Sequence, residues 1–196
     1  MSVIERVLRR DVPGSTIEPM RRRDLRHGVM VIEQASHPRP WSRNVFESEI
    51  EGMRKGTRHY VVLREGRAIA GYAGLWFTPD EAHVTNVAVD PDRRRSGVAT
   101  RLLLALAAEA RNRGMAAWTL EVRVSGTGAQ ELYRRFGFVP AGVRTRYYEN
   151  REDALVMWCH GLLSDEYARR LRAIEEALAA SPRRATSAAP DGGIGG

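Results

Sequence analysis

Residues 86–99 read Asn-Val-Ala-Val-Asp-Pro-Asp-Arg-Arg-Arg-Ser-Gly-Val-Ala, a β-branched strand running into Asp-Pro and an Arg-x-x-Gly-x-Ala turn made by Arg94, Gly97 and Ala99. A long apolar helix follows. Such a junction leaves backbone N–H groups unpaired at the helix start and aimed at one point. With the positive end of the helix dipole behind them, they suit a phosphate. Gly97 lets a ligand approach the backbone closely, and the neighbouring arginines add positive charge. The chemistry on offer is a pyrophosphate cradle. The plainer alternative is a strand-to-helix turn with solvated arginines. It is neither a dinucleotide fingerprint, which needs a further glycine and a later acid, nor a Walker loop, since Gly-Lys-Ser/Thr does not occur.

Glu121 sits within a second short apolar strand, Trp-Thr-Leu-Glu-Val at residues 118–122, and faces away from Leu120 and Val122. A carboxylate there is a candidate proton acceptor. The alternative is a surface glutamate paired with Arg123 or another arginine. Tyr133 lies on a helix that ends at Phe136-Gly137-Phe138, and its hydroxyl is a donor at neutral pH. A core aromatic beside Leu132 and Phe136 is the competing reading. Glu81 and His83, at the start of the preceding strand, are rival bases, and an imidazole ordinarily titrates near about 6.5. A polar pair at a hairpin edge accounts for them without chemistry.

Taken together, the strand and turn, Leu120-Glu121-Val122-Arg123, Leu132-Tyr133, Phe136-Gly137-Phe138, Tyr147-Tyr148 and Glu152-Asp153-Ala154-Leu155 resemble the RimI-type protein N-terminal acetyltransferases of the Gcn5-related N-acetyltransferase (GNAT) superfamily. Pro40-Trp41-Ser42 is similar to the segment before that group's second helix, and the resemblance spans about residues 16–160. It implies an α/β fold: one domain with a mixed central sheet and helices on both faces. It also implies acetyl transfer from acetyl-CoA to a protein N-terminus, the alanine of a small-subunit ribosomal protein. On that resemblance Glu121 accepts the proton, directly or through water, and Tyr133 donates one to the CoA sulfur. Val87, Ala88 and Val89 would pair with the pantetheine arm as an added strand, and a backbone N–H there could stabilise the oxyanion. Arg94, Arg95, Ser96, Gly97, Val98, Ala99 and Thr100 would hold the pyrophosphate. Trp41, Tyr147 and Tyr148 would wall the peptide groove. The chain departs from the pattern at Gly126, where the family commonly has an asparagine whose side chain bonds the cofactor; Gly126 offers only backbone.

Two rival functions are open at this point. The acceptor could be a lysine side chain, a polyamine or another small amine, since the fold serves them all. Alternatively, the chain could be an inactive ribosome- or RNA-binding relative. For that stand the net charge of +7 and 31 basic residues, all arginine but Lys55. Most of this charge reads as solvated surface, so direct nucleic-acid binding is not expected. No zinc-spaced Cys/His cluster occurs, and the single cysteine, Cys159, reads as a core filler. With no signal peptide or apolar span in the sequence, the expectation is a cytoplasmic protein away from membranes.

The elements that must position these groups follow from periodicity. Residues 1–15 form a basic lead-in and 16–20 a first strand. Asp24 is placed as the cap of a helix to Ser36, broken by His37-Pro38-Arg39-Pro40, and Ser42 as the cap of a second helix to Ile50. Strands are expected at 59–63, 68–77, 83–89, 118–122, 139–143 and 154–159. Between them come a helix at 98–113 with Leu102, Leu103, Leu106 and Ala110 on its buried stripe, and a shorter one at 129–136 after a Gly-Thr-Gly loop. Beyond the domain (16–160), residues 161–180 hold an amphipathic helix whose Tyr167, Leu171, Ile174 and Leu178 either pack on the domain or meet a partner. Residues 181–196, rich in Ala, Pro and Gly, read as disordered.

Overall fold

The computed structural model describes residues 14–180. The expected tail (181–196) and all but the end of the expected lead-in (1–15) lie outside them. Seven strands form one sheet: β1 (Ser15–Pro19), β2 (Arg58–Glu65), β3 (Ala68–Phe77), β4 (Glu81–Val89), β5 (Ala117–Arg123), β6 (Val139–Tyr148) and β7 (Glu152–His160), in the order β1-β2-β3-β4-β5-β7-β6. The helices are α1 (Arg22–Asp24), running through a π-helical turn (Leu25–Val29) into α2 (Met30–Ser36), then α3 (Arg43–Arg54), α4 (Val98–Asn112), α5 (Thr127–Arg135) and α6 (Asp165–Ala180). Only β4 and β5 pair in parallel, because α4 carries the chain back between them.

Each face of the sheet has its own core. On one, Leu102, Leu103 and Leu106 of α4 pack with Trp118, Phe136 and Phe138. On the other, Phe46 of α3 meets Tyr60 and Tyr72 with Leu25, Val29 and Ile32. The last helix packs on the first core: Tyr167 stands edge-on to Trp118, and Leu171, Ile174 and Leu178 continue its buried stripe. Cys159 is buried beneath it, as a core filler should be.

Three local expectations need correction. Asp24 is not the first helical cap but the third helical residue. Its carboxylate accepts the Arg21 N–H at 2.8 Å and pairs with Arg64, and the helix then kinks at His27 and Gly28. Ser42 precedes α3 in an extended conformation but makes no side-chain cap. Helix α5 begins at Thr127, inside the expected Gly-Thr-Gly loop, with Gly126 as its N-cap residue. The remaining elements fall within a few residues of expectation except β6, which runs on to Tyr148.

The feature that shapes the site is a bulge. Pairing of β3 with β4 steps from Leu75–Val84 to Gly74–Asn86, leaving Thr85 as the extra residue. The β4–β5 ladder ends at the same level, with Val84 opposite Leu120. Beyond it the two strands part. Val87, Ala88 and Val89 therefore turn one backbone edge, and Glu121 its side chain, toward a cleft in the sheet.

Candidate active site

At the mouth of the cleft the chain makes the turn that leads into α4. A short 3-10 turn, Pro91–Arg93, is capped by Asp90, whose carboxylate accepts the Asp92 N–H at 3.1 Å. Arg95 and Gly97 then take positive φ, 63° and 85°. The Ser96 hydroxyl donates to the Arg93 carbonyl at 2.5 Å and closes the turn on itself. The Arg101 N–H is bonded to the Gly97 carbonyl. The amides of Val98, Ala99 and Thr100 precede that rung, so they are donors for which an α-helix supplies no acceptor. Arg94, Arg95 and Ser96 are exposed around them. The arrangement fits a pyrophosphate: donors and the helix dipole converge, and guanidinium groups lie within reach.

Gly97 has a second constraint absent from the sequence reading. A Cβ built on it would lie 2.5 Å from the Leu178 Cδ1 of α6. The last helix is thus seated against the phosphate turn, and its leucine fills the space beside the glycine. Gly126 shows what the missing asparagine leaves behind. Helix α5 has no side-chain cap, and Gln130 ties it to the end of β5 by donating to the carbonyls of Arg123 and Val124 at 3.0 and 2.9 Å.

Inside the cleft, Glu121 is nearly buried, with 7% of its side chain exposed. His83 Nε2 lies 3.1 Å from one carboxylate oxygen, and Arg144 from β6 lies 3.0 Å from the other. The hydrogen bond from His83 lowers the Glu121 pKa below the ordinary carboxylate value. Burial pushes the other way, and the charges of His83 and Arg144 add to the lowering. Arg123, the neighbour first considered as its partner, is instead held by Glu149 and Glu152 at 2.7 and 2.8 Å. Glu152 also binds the Ser125 backbone and hydroxyl, and these bonds bring its pKa down to about 2. So the β6–β7 turn is clamped to the end of β5.

Tyr133, on α5, is buried in the first core and stands edge-on to Phe138. Burial pushes its hydroxyl pKa up to about 12, so it keeps its proton at any physiological pH. Tyr148 donates to the Glu121 carbonyl at 3.1 Å and lies under the Arg123 guanidinium. Tyr147 stands perpendicular to it, half exposed, with Arg144 over its ring. Across from these, the segment after α2 carries Trp41, which packs on Phe46 and binds Glu33 through its backbone N–H. The Glu149 carboxyl is held below the ordinary carboxylate range chiefly by its hydrogen bond to Arg123, and the charge of Arg39 adds to the lowering.

The sequence-predicted residues therefore lie about the point where β4 and β5 part: the turn into α4, Glu121 with Tyr148 on its carbonyl, and Trp41, tied to Asn86 through Glu33. Two members were missed or undervalued. His83 is no hairpin-edge decoration, since it touches Glu121; Glu81 closes the β3–β4 turn through its backbone, accepting from the Thr78 N–H. Arg144 carried no sequence signal, because it reaches Glu121 only through the order β5-β7-β6. Among the described residues no cluster of three or more His, Cys, Asp or Glu could hold a metal ion, and no helix is long and apolar enough to cross a membrane.

This fold and cleft define a class. The acetyltransferase (GNAT) family matches residues 26–138, and the chain belongs to that family. Within it, the chain is similar to the [Ribosomal protein bS18]-alanine N-acetyltransferase of Escherichia coli (strain K12), 39% identical over 130 residues, 64% of this chain and 84% of that one. A Bacillus subtilis (strain 168) protein provisionally named for the same activity is 36% identical over 145 residues, 74% of this chain and 94% of its own length. The crystal structure of the ribosomal-protein-S18-alanine N-acetyltransferase from Escherichia coli superimposes with a TM-score of 0.68 at 35% identity, covering 78% of this chain and 97% of that one.

Proposed function

We propose that the protein transfers an acetyl group from acetyl-CoA to the α-amine of a protein N-terminus, with the alanine of ribosomal protein bS18 as the acceptor. The named relatives support that acceptor. The observation that carries the reading is the Glu121 carboxylate, nearly buried and bound by His83 and Arg144 where β4 and β5 part. A carboxylate of lowered pKa is a weak base. It suits an amine that already loses its proton easily. An α-amine titrates at about 7.7–8.0 and a lysine near 10.4, so the α-amine is easier to deprotonate by more than two units.

Acetyl-CoA supplies the activated acyl carbon and a thiolate leaving group. The residues of the chain do the rest. Amides of Val98, Ala99 and Thr100 hold the pyrophosphate, and the free edge of Val87, Ala88 and Val89 lines up the arm and offers an N–H to the developing oxyanion. Glu121 attracts the ammonium, which first gives up one proton to solvent; the neutral amine then attacks the acyl carbon, its second proton passes to the Glu121–His83 pair, directly or through water, and the C–S bond breaks to release the thiolate. The Tyr133 hydroxyl hydrogen-bonds the departing sulfur. With its pKa at about 12 against about 8.5 for a simple thiol, it stabilises the thiolate mainly as a donor, since full transfer is uphill by roughly 3.5 units. Trp41, Tyr147 and Tyr148 border the acceptor.

Acetyl-CoA consumption with alanine-initiated peptides, N-blocked peptides carrying lysine, and spermidine tests the reading. Turnover confined to the free N-terminal peptides is expected. Preference for lysine or spermidine would move the acceptor class, and no turnover with any would favour a binding protein.

A further inference from the structure

Glu33 of α2 is a carboxylate buried to 1% exposure, away from Glu121 and unused by the mechanism above. Burying a carboxylate is costly unless donors surround it, and here the donors come from three separate elements. The Trp41 N–H donates to one oxygen at 2.7 Å. The other accepts from the Tyr72 hydroxyl of β3 and from Asn86 Nδ2 of β4 at 3.4 Å. His37 Nε2 lies 3.4 Å from that same oxygen. Two of these partners border the site. Trp41 is the wall residue assigned above to the acceptor, and Asn86 directly follows the bulge at which β4 leaves β5. With its amino group turned to Glu33, Asn86 keeps a buried carbonyl oxygen that has no partner among the described residues. Apolar packing such as that of Phe46 beneath Trp41 would fill the space equally well, but it could not fix the direction of a backbone N–H and a side-chain amide together.

We propose that Glu33 is a positioning residue for the acceptor: one buried carboxylate sets the Trp41 wall of the groove and the Asn86 end of the cleft floor in register. The inference rests on the reading of the Trp41 groove as the acceptor site. Acceptor binding should then depend on Glu33 while cofactor binding and the chemical step do not. Replacing it with glutamine keeps the volume but removes the charge and leaves one acceptor oxygen, which cannot serve Trp41 on one side and Tyr72 and Asn86 on the other together.

The test uses the full chain, wild type and Glu33→Gln, with acetyl-CoA and a short alanine-initiated peptide copied from the bS18 N-terminus. The expected result is a peptide KM raised roughly ten-fold, the scale of one lost charge-assisted hydrogen bond. The KM for acetyl-CoA and kcat should stay within about two-fold. A drop in kcat at unchanged peptide KM, or both KM values rising together, would overturn the proposal. A second readout stands apart from the assigned activity: hydrogen exchange of the Trp41 amide should quicken by at least roughly ten-fold while exchange in α4 stays unchanged. An unchanged Trp41 amide would equally overturn the proposal. If the wild type fails to acetylate the peptide but the Trp41 amide responds, the assigned acceptor falls and the positioning role of Glu33 stands.

Discussion

The phosphate turn and the Glu121 centre are built from different materials. The turn comes from one unbroken run of sequence, residues 94–100, and the groups it would offer a pyrophosphate are backbone amides fixed by two positive-φ residues. The Glu121 centre uses side chains from three strands, His83 of β4, Glu121 of β5 and Arg144 of β6, brought together only by the sheet order. A backbone site tolerates changes of side chain wherever φ and space permit. A side-chain site depends on the chemistry of every member. The two regions should therefore respond to mutation in different ways.

The largest contrast is expected at Glu121. Glu121→Gln should lower kcat by roughly 10²–10⁴-fold, the range for loss of a general base, and leave acetyl-CoA affinity within about two-fold by calorimetry. A near-wild-type rate, with His83→Ala inactive, would transfer the proton to the imidazole and redraw the centre around β4. Because the Glu121 pKa is lowered, its carboxylate is ionised throughout pH 5–9. Any acid limb in that range should therefore persist in the residual activity of Glu121→Gln.

Tyr133→Phe should slow the single-turnover rate by roughly ten-fold, less than Glu121→Gln, because a thiolate already leaves fairly well. Its pKa of about 12 adds a sign. The protonated hydroxyl is the useful form and is lost only as pH rises through that value, so wild-type kcat should show no fall between pH 8 and 10. A falling limb near pH 9–10 that vanishes in Tyr133→Phe would contradict the assignment.

On the backbone side, the sensitive position is Gly97. Gly97→Ala forces a side chain into φ 85° and against Leu178. A destabilisation of about 1–2 kcal/mol is expected from the left-handed conformation alone, with weaker acetyl-CoA binding. Leu178→Ala in the same chain should recover part of the loss by opening the space. If the double variant is no better than Gly97→Ala, contact with α6 contributes nothing to the turn. By comparison Arg95→Ala should change acetyl-CoA affinity by less than about ten-fold, since an exposed charge contributes little beside the amides.

The same contrast governs what could be read from sequence. Residues 94–100 were legible because a helix start, a glycine and its arginines lie side by side, and their conformation follows from local rules. Glu121 was legible as a carboxylate on an otherwise apolar strand, but its partners were not. Arg123, adjacent in sequence, is drawn off by Glu149 and Glu152, whereas Arg144 arrives from a strand two places away in the sheet. Asp24 failed as a cap, and Ser42 is the N-cap residue of α3 without a bond from its hydroxyl, for a related reason. A tertiary partner, Arg64, claims the first, and the second ends a proline-rich segment in which Glu33 holds the neighbouring backbone. The amphipathic pattern of α6 showed a buried stripe without saying what it covers, and the covered object includes Gly97.

One measurement bears most directly on the account. A peptide with a free N-terminal alanine and an internal lysine, incubated with the protein and acetyl-CoA, can be sequenced by fragmentation mass spectrometry to locate the new acetyl group. The account predicts a single acetyl group on the α-amine, formed at a rate that collapses in Glu121→Gln. Acetylation of the lysine, or α-acetylation that proceeds equally well without the Glu121 carboxylate, would contradict it.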